Sequence, residues 1–391
     1  GPYYQSKRLK LYQEYANKLY EEGKAYYCEC SKEVLEEKKK KLLERGLKPR
    51  YDGTCREKNL PPGPGRALRI KVPNNTEIVV EDLLRGKIIF PPDEIDDFII
   101  LRSDGTPTYQ FAVVIDDITM GVTHIIRGDD HISNTPKQLI IYQSLGVEPP
   151  FFAHIPMVLG PDGTRLSKRH GAKSILEYRE EGYLPEAVIN YLARLGWGYG
   201  DQEFFTLEEL IEKFDLKRIN LSPARFDPEK FMSFNAYWLK TLDSSKILKY
   251  LKPFLYQYNY PIDKFDENYL LKVIESVKVR TKTLKEMAEM IDFYFVEELN
   301  YMEELLAKYI PSELKPLLSE ILKDIDNLNF EDEKEMEDYF RKFSERRGIK
   351  LKDLAQAIRV ALTGKTVSPP LFEVMKLLGK ERVKNRLKKV L

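Results

Sequence analysis

The stretch THIIRGDDHISNTPKQLIIYQSLGVEPPFFAHIPMVLG, residues 123–160, decides the fold class. THIIRG (123–128) and FAHIPMVLG (152–160) are apolar runs of strand length, and residues 133–145 between them carry helical spacing. Strand, helix, strand at that distance is a parallel α/β unit of two buried strands, whose ligands sit beyond the carboxyl ends of the strands. IRGDDH closes the first strand and a glycine-rich loop closes the second, so both segments are candidate site material. Working upstream, ALRIKV (67–72) and EIVV (77–80) read as short strands. DFIILRSDGTPTYQFAVVID (97–116) reads as a hairpin turning at Asp104–Gly105. Near the start, Leu9, Tyr12, Tyr15, Ala16 and Leu19 share one helical face, and Gly23 is placed to end that helix. Downstream of residue 175 the pattern turns helical. LPEAVINYLARLGW has Pro185 in its first turn, TLEELIEKF has a capping box from Thr206 to Glu209, and no strand pattern appears after about residue 245.

Composition narrows the class. The chain has 391 residues, enough for two to four domains, and its 42% hydrophobic content is that of a folded protein. No run approaches the roughly 18 apolar residues a membrane span needs. Three cysteines, an odd number in a long chain, argue against a disulfide scaffold and for a reducing, cytoplasmic setting. Charged residues make up 32% yet balance to +1, so any nucleic-acid partner is met by local patches. One such patch is residues 345–391, with thirteen lysines and arginines against four acids. That surplus is a candidate phosphate-backbone footprint, with a solvated helix face as the plainer alternative.

The loop after the second strand, GPDGTRLSKRHGAKS (160–174), gathers Arg165, Lys168, Arg169 and Lys173 among three glycines, with Asp162 its sole acid. Mobile cations on such a loop suit a triphosphate. In the form RLSKR it resembles the KMSKS signature of class I aminoacyl-tRNA synthetases. With GPYYQS, AYYCEC, PRYDGTCR, VIDDITMGVTHIIRGDDHISNTP and LTGKTVSPPLFEVMKLLGKER, the resemblance runs end to end and is to the bacterial-type glutamyl-tRNA synthetases.

The resemblance implies an α/β plus all-α protein: an interrupted Rossmann-like catalytic domain with an α/β insertion, then a helical half. Residues 3–108 would be the connective insertion that grips the tRNA acceptor end. Residues 109–176 would be the remainder of the catalytic domain, 177–244 a stem-contact domain and 245–391 an anticodon-binding region. The implied reaction joins L-glutamate to tRNA(Glu) at the expense of ATP with Mg2+, in a cytoplasmic monomer without membrane contact. Lys168 would stabilise the departing pyrophosphate, with Ser167 holding the loop and Arg165 assisting in ATP binding. Arg127 would bind the glutamate substrate, its guanidinium suited to forking onto a carboxylate, and Tyr109, read on a neighbouring strand, would complete that pocket. A structural Arg127–Asp129 pair and a core tyrosine are the plainer readings. Asp116–Asp117 either orients the tRNA terminus or pairs with Arg127. Arg280, Arg359, Thr363, Ser368, Pro369 and Leu371 fall where the family contacts anticodon bases, a task for which a flat guanidinium is suited. Arg280 stands where an arginine selects the third anticodon base.

The family's first segment carries a His-Ile-Gly-His-like motif, whose counterpart would precede Gly1. The four histidines here, His124, His131, His154 and His170, are scattered. A tRNA-binding fragment without chemistry, and an enzyme that also charges tRNA(Gln), therefore stand as alternatives. A glutaminyl-tRNA synthetase would end in β-barrels, and a glutamyl-queuosine enzyme would lack the helical half. Finally, Cys28, Cys30 and Cys55 match a structural Zn2+ site that some family members carry in the insertion. The fourth ligand is open between Tyr51 and Glu57, and three half-buried thiols without metal are the alternative.

Overall fold

The computed structural model describes residues 2–170 and 173–391; Gly1, Gly171, Ala172 and the side chain of His170 lie outside the described residues. Two compact units divide the chain. The first comprises residues 1–165, 196–201 and 213–225, the second residues 166–195, 202–212 and 226–391.

In the first unit, α1 (Leu9–Glu21) leads into β1 (Ala25–Cys28) and α2 (Lys32–Glu44). Strands β2 (Ala67–Ile70), β3 (Ile78–Asp82), β4 (Gly86–Phe90) and β5 (Ile99–Leu101) follow. Then come α3 (Tyr109–Met120), β6 (His124–Gly128), α4 (Thr135–Leu145) and β7 (Phe151–Ile155). Two sheets form: an antiparallel one in the order β1-β2-β5, and a mixed one in the order β4-β3-β7-β6. β6 and β7 pair in parallel from His124 opposite Phe151 to Gly128 opposite Ile155, which is the α/β unit read from the sequence. β6 is not buried, however. It lies at the sheet edge, with Ile126 and Phe151 exposed. Tyr12, Ala16 and Leu19 of α1 are fully buried against Phe111 and Ala112 of α3 and Leu68 and Ile70 of β2. Gly23 adopts φ +70, a left-handed conformation that lets the chain leave α1 without a Cβ clash.

The expected hairpin at 97–116 is corrected. Its turn exists: the Arg102 N–H donates to Thr106 O at 2.8 Å, Gly105 sits at φ +80, and Asp104 Oδ1 accepts from the Thr106 N–H at 2.9 Å. The return limb is not a strand. It touches back at Leu101–Pro107 and through the Thr108 N–H, which donates to Ile100 O at 2.9 Å, and from Tyr109 it is helix α3, which buries Phe111, Ala112, Val114 and Ile115. Proline withholds the N–H a second strand needs, and the apolar run FAVVI serves a helix face as well as a strand. Tyr109 therefore stands in the first turn of a helix, not on a neighbouring strand.

The second unit is helical among its described residues, from α5 (Ile175–Glu180), α6 (Pro185–Arg194), α7 (Leu207–Lys213) and α8 (Pro228–Thr241) to α9 (Ser244–Gln257), α10 (Glu267–Val277) and α11 (Leu284–Met290). It continues through α12 (Glu303–Tyr309), α13 (Lys315–Asp324), α14 (Glu333–Arg347), α15 (Leu351–Thr363), α16 (Leu371–Leu378) and α17 (Lys380–Val390). The capping box before α7 is formed in both directions: Glu209 N–H to Thr206 Oγ1 at 3.2 Å and Thr206 N–H to Glu209 Oε2 at 2.9 Å. One core joins α8 to α17 through Leu239, Leu251, Val273, Ile321, Ile358 and Leu387. No described helix is long and apolar enough to cross a membrane.

Candidate active site

β6 and β7 put Arg127 and His154 opposite one another in register. Arg127 Nε–H donates to His154 Nε2 at 3.2 Å, and Nη2 donates to Thr135 Oγ1 and Gln138 Oε1, both at 2.8 Å. Both Nη2 hydrogens and the Nε hydrogen are thus committed. Among the described residues no hydrogen-bond partner engages Nη1, so the expected fork reduces to one nitrogen with two hydrogens to offer. Burial pulls the Arg127 pKa down; the charges of Tyr109, Asp117, Tyr142 and Asp130 push it back up.

Behind Arg127 the imidazole of His154 is fully buried, and its Nδ1 lies 2.7 Å from Asp82 Oδ2. The same carboxylate oxygen accepts the His154 backbone N–H at 3.0 Å. Asp82 Oδ1 accepts the N–H groups of Leu84 and Arg85, both at 2.9 Å. Burial alone would raise the Asp82 pKa; the hydrogen bonds from His154, Arg85 and Leu84 outweigh it and hold the pKa below the ordinary aspartate value. His154 is pulled below the ordinary histidine range, first by burial and then by the Arg127 charge, despite the carboxylate. A neutral ring with its proton on Nδ1 donates to Asp82 and leaves Nε2 to accept from Arg127 Nε–H. Arg85 spans the site edge, from His154 O at 3.1 Å to Asp129 Oδ2 at 2.8 Å. Asp129 is therefore the partner of Arg85, and the Arg127–Asp129 pair is not formed.

Amide groups extend the network. Gln138 Nε2 donates to Gln110 Oε1 at 3.0 Å, Gln110 Nε2 donates to Asn134 Oδ1 at 2.7 Å, and Asn134 Nδ2 lies 3.1 Å from His131 Nδ1. The His131 ring is 6.2 Å from that of Tyr109, which is half exposed beside this network. Asp116 is spent elsewhere: Arg8, Tyr12 and Gln5 donate to it at 2.8, 2.8 and 2.9 Å, clamping α1 to α3. It does not pair with Arg127. Asp117 is half-buried, 3.5 Å from the Tyr142 hydroxyl, and burial raises its pKa. Sequence reading missed His154, Asp82, Thr135 and Gln138. The available signal was a histidine inside the apolar run FFAHI, which must find polar partners once buried.

The cationic loop is pinned at its entry. Gly160 N–H donates to Thr164 O at 2.7 Å, and the Asp162 carboxylate accepts from the Thr164 N–H at 2.9 Å. Arg165 reaches Asp130 at 3.3 Å within the first unit, while Lys173 pairs with Glu181 in the second. Lys168 opens a single 3-10 turn and is exposed, as is Ser167.

The three thiols converge in the first unit. Their sulfur atoms lie within 4.8 Å of one another, with Cys30 Sγ 3.6 Å from Cys55 Sγ. Tyr51 Oη joins them, 3.4 Å from Cys28 Sγ and 3.9 Å from Cys30 Sγ, whereas Glu57 is exposed and outside the group. Tetrahedral zinc with bonds of about 2.0–2.3 Å separates its ligand atoms by about 3.5–3.8 Å, a spacing that the Cys30–Cys55 and Cys28–Tyr51 distances approach. Burial raises the Cys28 pKa, but hydrogen bonds from Tyr51 and Arg69 bring it down to about 7, whereas burial and Cys55 push Cys30 up to about 11.

In the helical unit, Arg280 is exposed and Arg359 half-buried; burial and the Arg280 charge lower the Arg359 pKa. Arg359 donates from Nε to Ser368 Oγ at 3.0 Å and from Nη1 to Gln356 Oε1 at 2.9 Å. Thr363, Ser368, Pro369 and Leu371 are buried; Thr363 Oγ1 donates to Arg359 O at 2.7 Å.

By its sequence the first part of the chain is the catalytic domain of a class I tRNA synthetase. Residues 1–233 match the family described as tRNA synthetases class I (E and Q), catalytic domain, and residues 246–391 match the anticodon binding domain. Glutamate–tRNA ligase of Syntrophobacter fumaroxidans is 46% identical over 391 residues, 100% of this chain and 83% of that protein. Glutamate–tRNA ligase 1 of Syntrophus aciditrophicus is 48% identical, over 100% and 82%. A crystal structure of a glutamate tRNA ligase from Elizabethkingia meningosepticum, in complex with its amino acid, superposes with a TM-score of 0.81. It is 29% identical and covers 100% of this chain and 84% of that one. The chain belongs to the glutamate–tRNA ligases.

Proposed function

We propose that this chain works as a glutamate–tRNA ligase in which Arg127 and Tyr109 receive L-glutamate and the 160–174 loop attends ATP. The observation that carries the reading is Arg127 itself: a guanidinium locked on three sides, with Nη1 left for a carboxylate. Class I synthetases use ATP with magnesium. The glutamate carboxylate attacks the α-phosphorus, the bond to pyrophosphate breaks, and negative charge grows on the leaving group. Lys168, exposed on its turn, meets that charge, Arg165 assists, and Ser167 sets the loop. The activated acyl group then passes to the 3′ end of tRNA(Glu). The catalytic-domain match over residues 1–233 favours a ligase over a tRNA-binding fragment without chemistry.

The reading assigns residues 3–108 to the acceptor end of the tRNA, 109–176 to the chemistry, 177–244 to the stem and 245–391 to the anticodon. In the last region Arg280 and Arg359 meet the bases, while the buried Thr363, Ser368, Pro369 and Leu371 shape the segment that carries them. Cys28, Cys30, Cys55 and Tyr51 would hold a structural zinc, which braces the segment around β1 and residues 51–55. The protein acts as a cytoplasmic monomer. The test is Lys168→Ala in the natural protein. Glutamate-dependent ATP–pyrophosphate exchange in the presence of tRNA should fall by at least about a hundredfold. Unchanged exchange removes Lys168 from the chemistry.

A further inference from the structure

Arg127 does not hold its own position. An arginine side chain has four rotatable bonds and loses substantial rotamer entropy when fixed. Here the fixing comes from behind the site. His154 is the acceptor for Nε–H at 3.2 Å, and it can accept only because its proton sits on Nδ1, 2.7 Å from Asp82. Asp82 is fixed in turn by the backbone N–H groups of Leu84, Arg85 and His154. Thr135 and Gln138 hold Nη2, and Thr135 Oγ1 also lies 3.0 Å from His154 Nε2. Asp82, Thr135, Gln138 and His154 are all buried, so water does not substitute for any of these contacts.

We propose that Asp82 and His154 are positioning residues for glutamate recognition: the carboxylate fixes the imidazole tautomer, and the imidazole lone pair aims Arg127 Nη1 at the substrate carboxylate. This rests on the assignment of Arg127 to glutamate. Neither residue touches the substrate. Both act on KM for glutamate and leave the ATP side of the site alone. The arrangement has a built-in acid limit. A proton on Nε2 would turn the acceptor into a donor facing Arg127 Nε–H and set two cations side by side. The charged and titratable groups around the ring are Asp82 and Arg85 at the β3–β4 turn and Arg127 on β6, with Thr135 at the start of α4. Only Asp82 favours the protonated ring, and burial and the two arginines oppose it. The neutral acceptor therefore persists until the pH falls below the ordinary histidine value of about 6.5.

The experiment measures KM for glutamate, KM for ATP and kcat in the natural protein carrying His154→Asn, His154→Gln or Arg127→Ala, between about pH 5.5 and 8. Asparagine places its amide near the Nδ1 position and leaves Arg127 Nε without an acceptor. Glutamine carries an oxygen to the Nε2 position and does not titrate. For His154→Asn, KM for glutamate should rise by at least about tenfold with KM for ATP within about twofold of wild type. His154→Gln should recover most of that loss, and any rise in KM that wild type shows at the acid end should be absent from it. If His154→Asn does not fold, the pH profile of His154→Gln alone decides. A glutamine variant that keeps a wild-type rise at the acid end overturns the proposal, as does an asparagine variant with wild-type KM. If Arg127→Ala itself leaves KM for glutamate unchanged, the assignment of Arg127 fails instead. A loss in Arg127→Ala without one in His154→Asn sinks only the positioning role.

Discussion

Arg386 on α17 offers a stability experiment whose size follows from the contacts. Its side chain is 3% exposed, and its guanidinium donates to three backbone carbonyls: Leu362 O at 2.6 Å, Phe293 O at 2.7 Å and Val296 O at 2.6 Å. Leu362 lies in the last turn of α15, where carbonyls have no partner inside the helix and the helix dipole favours a cation. Arg386→Met keeps the bulk and removes all three donors. Each orphaned buried carbonyl costs about 1–2 kcal/mol. Burying a methionine in place of a charge returns part of this, because the guanidinium paid a desolvation cost visible in its lowered pKa and its unpartnered Nε. The net loss should be about 3 kcal/mol. With a urea slope of about 2 kcal/mol/M, the unfolding midpoint of the helical unit drops by about 1.5 M. Far-UV circular dichroism against urea reads it directly. Lys388→Met, on the exposed face of the same helix, should stay within about 0.5 kcal/mol and serves as the control. If Arg386→Met unfolds at the same urea concentration as Lys388→Met, the three carbonyl contacts contribute nothing and the reasoning is wrong.

Two further outcomes can be checked by binding and by metal content. Arg359→Glu should weaken tRNA binding and flatten its dependence on salt while sparing glutamate binding; an unaltered salt slope would take Arg359 out of the tRNA contact. Protein purified without chelator should carry about one equivalent of zinc, and Tyr51→Phe should lose it more readily to a chelator than wild type. Less than about a tenth of an equivalent, with all three thiols freely titratable, would leave the cysteines as buried thiols only.

What the sequence disclosed, and what it hid, divides by the range of the interaction responsible. The parallel β6–α4–β7 unit was legible because strand and helix periods are local and Gly146, at φ +67, closes the helix between them. The capping box at Thr206 and Glu209 was legible for the same reason. Residues 97–116 misled because a local turn signal was real but its consequence was not local: Pro107 and the burial of α3 against α1 chose a helix after the turn. Asp82 and His154 were invisible because they are far apart in the chain, and only the pairing of β3 with β7 brings them together.

The basic C-terminal segment carries the same lesson in electrostatics. Thirteen cations against four acids read as a field that a phosphate backbone would meet. The fold spends much of that charge inward. Arg382 donates to the carbonyls of Leu378 and Tyr294 at 2.8 and 2.7 Å, and Arg386 fastens three more carbonyls. Lys365, Lys384 and Lys389 meet Asp292, Asp326 and Glu298, all from outside the segment. A guanidinium that serves as a backbone fastener still adds to the formal charge but presents few donors to a ligand. Contact with a nucleic acid should therefore depend on the cations left facing outward, joined from outside the segment by the exposed Arg280, whose charge acts on half-buried Arg359. The Arg280 charge disfavours that of Arg359 in the free protein, and an anion or a stacked base bound beside Arg359 relieves that cost. The affinity for tRNA should accordingly follow this pair far more closely than it follows the segment's net charge.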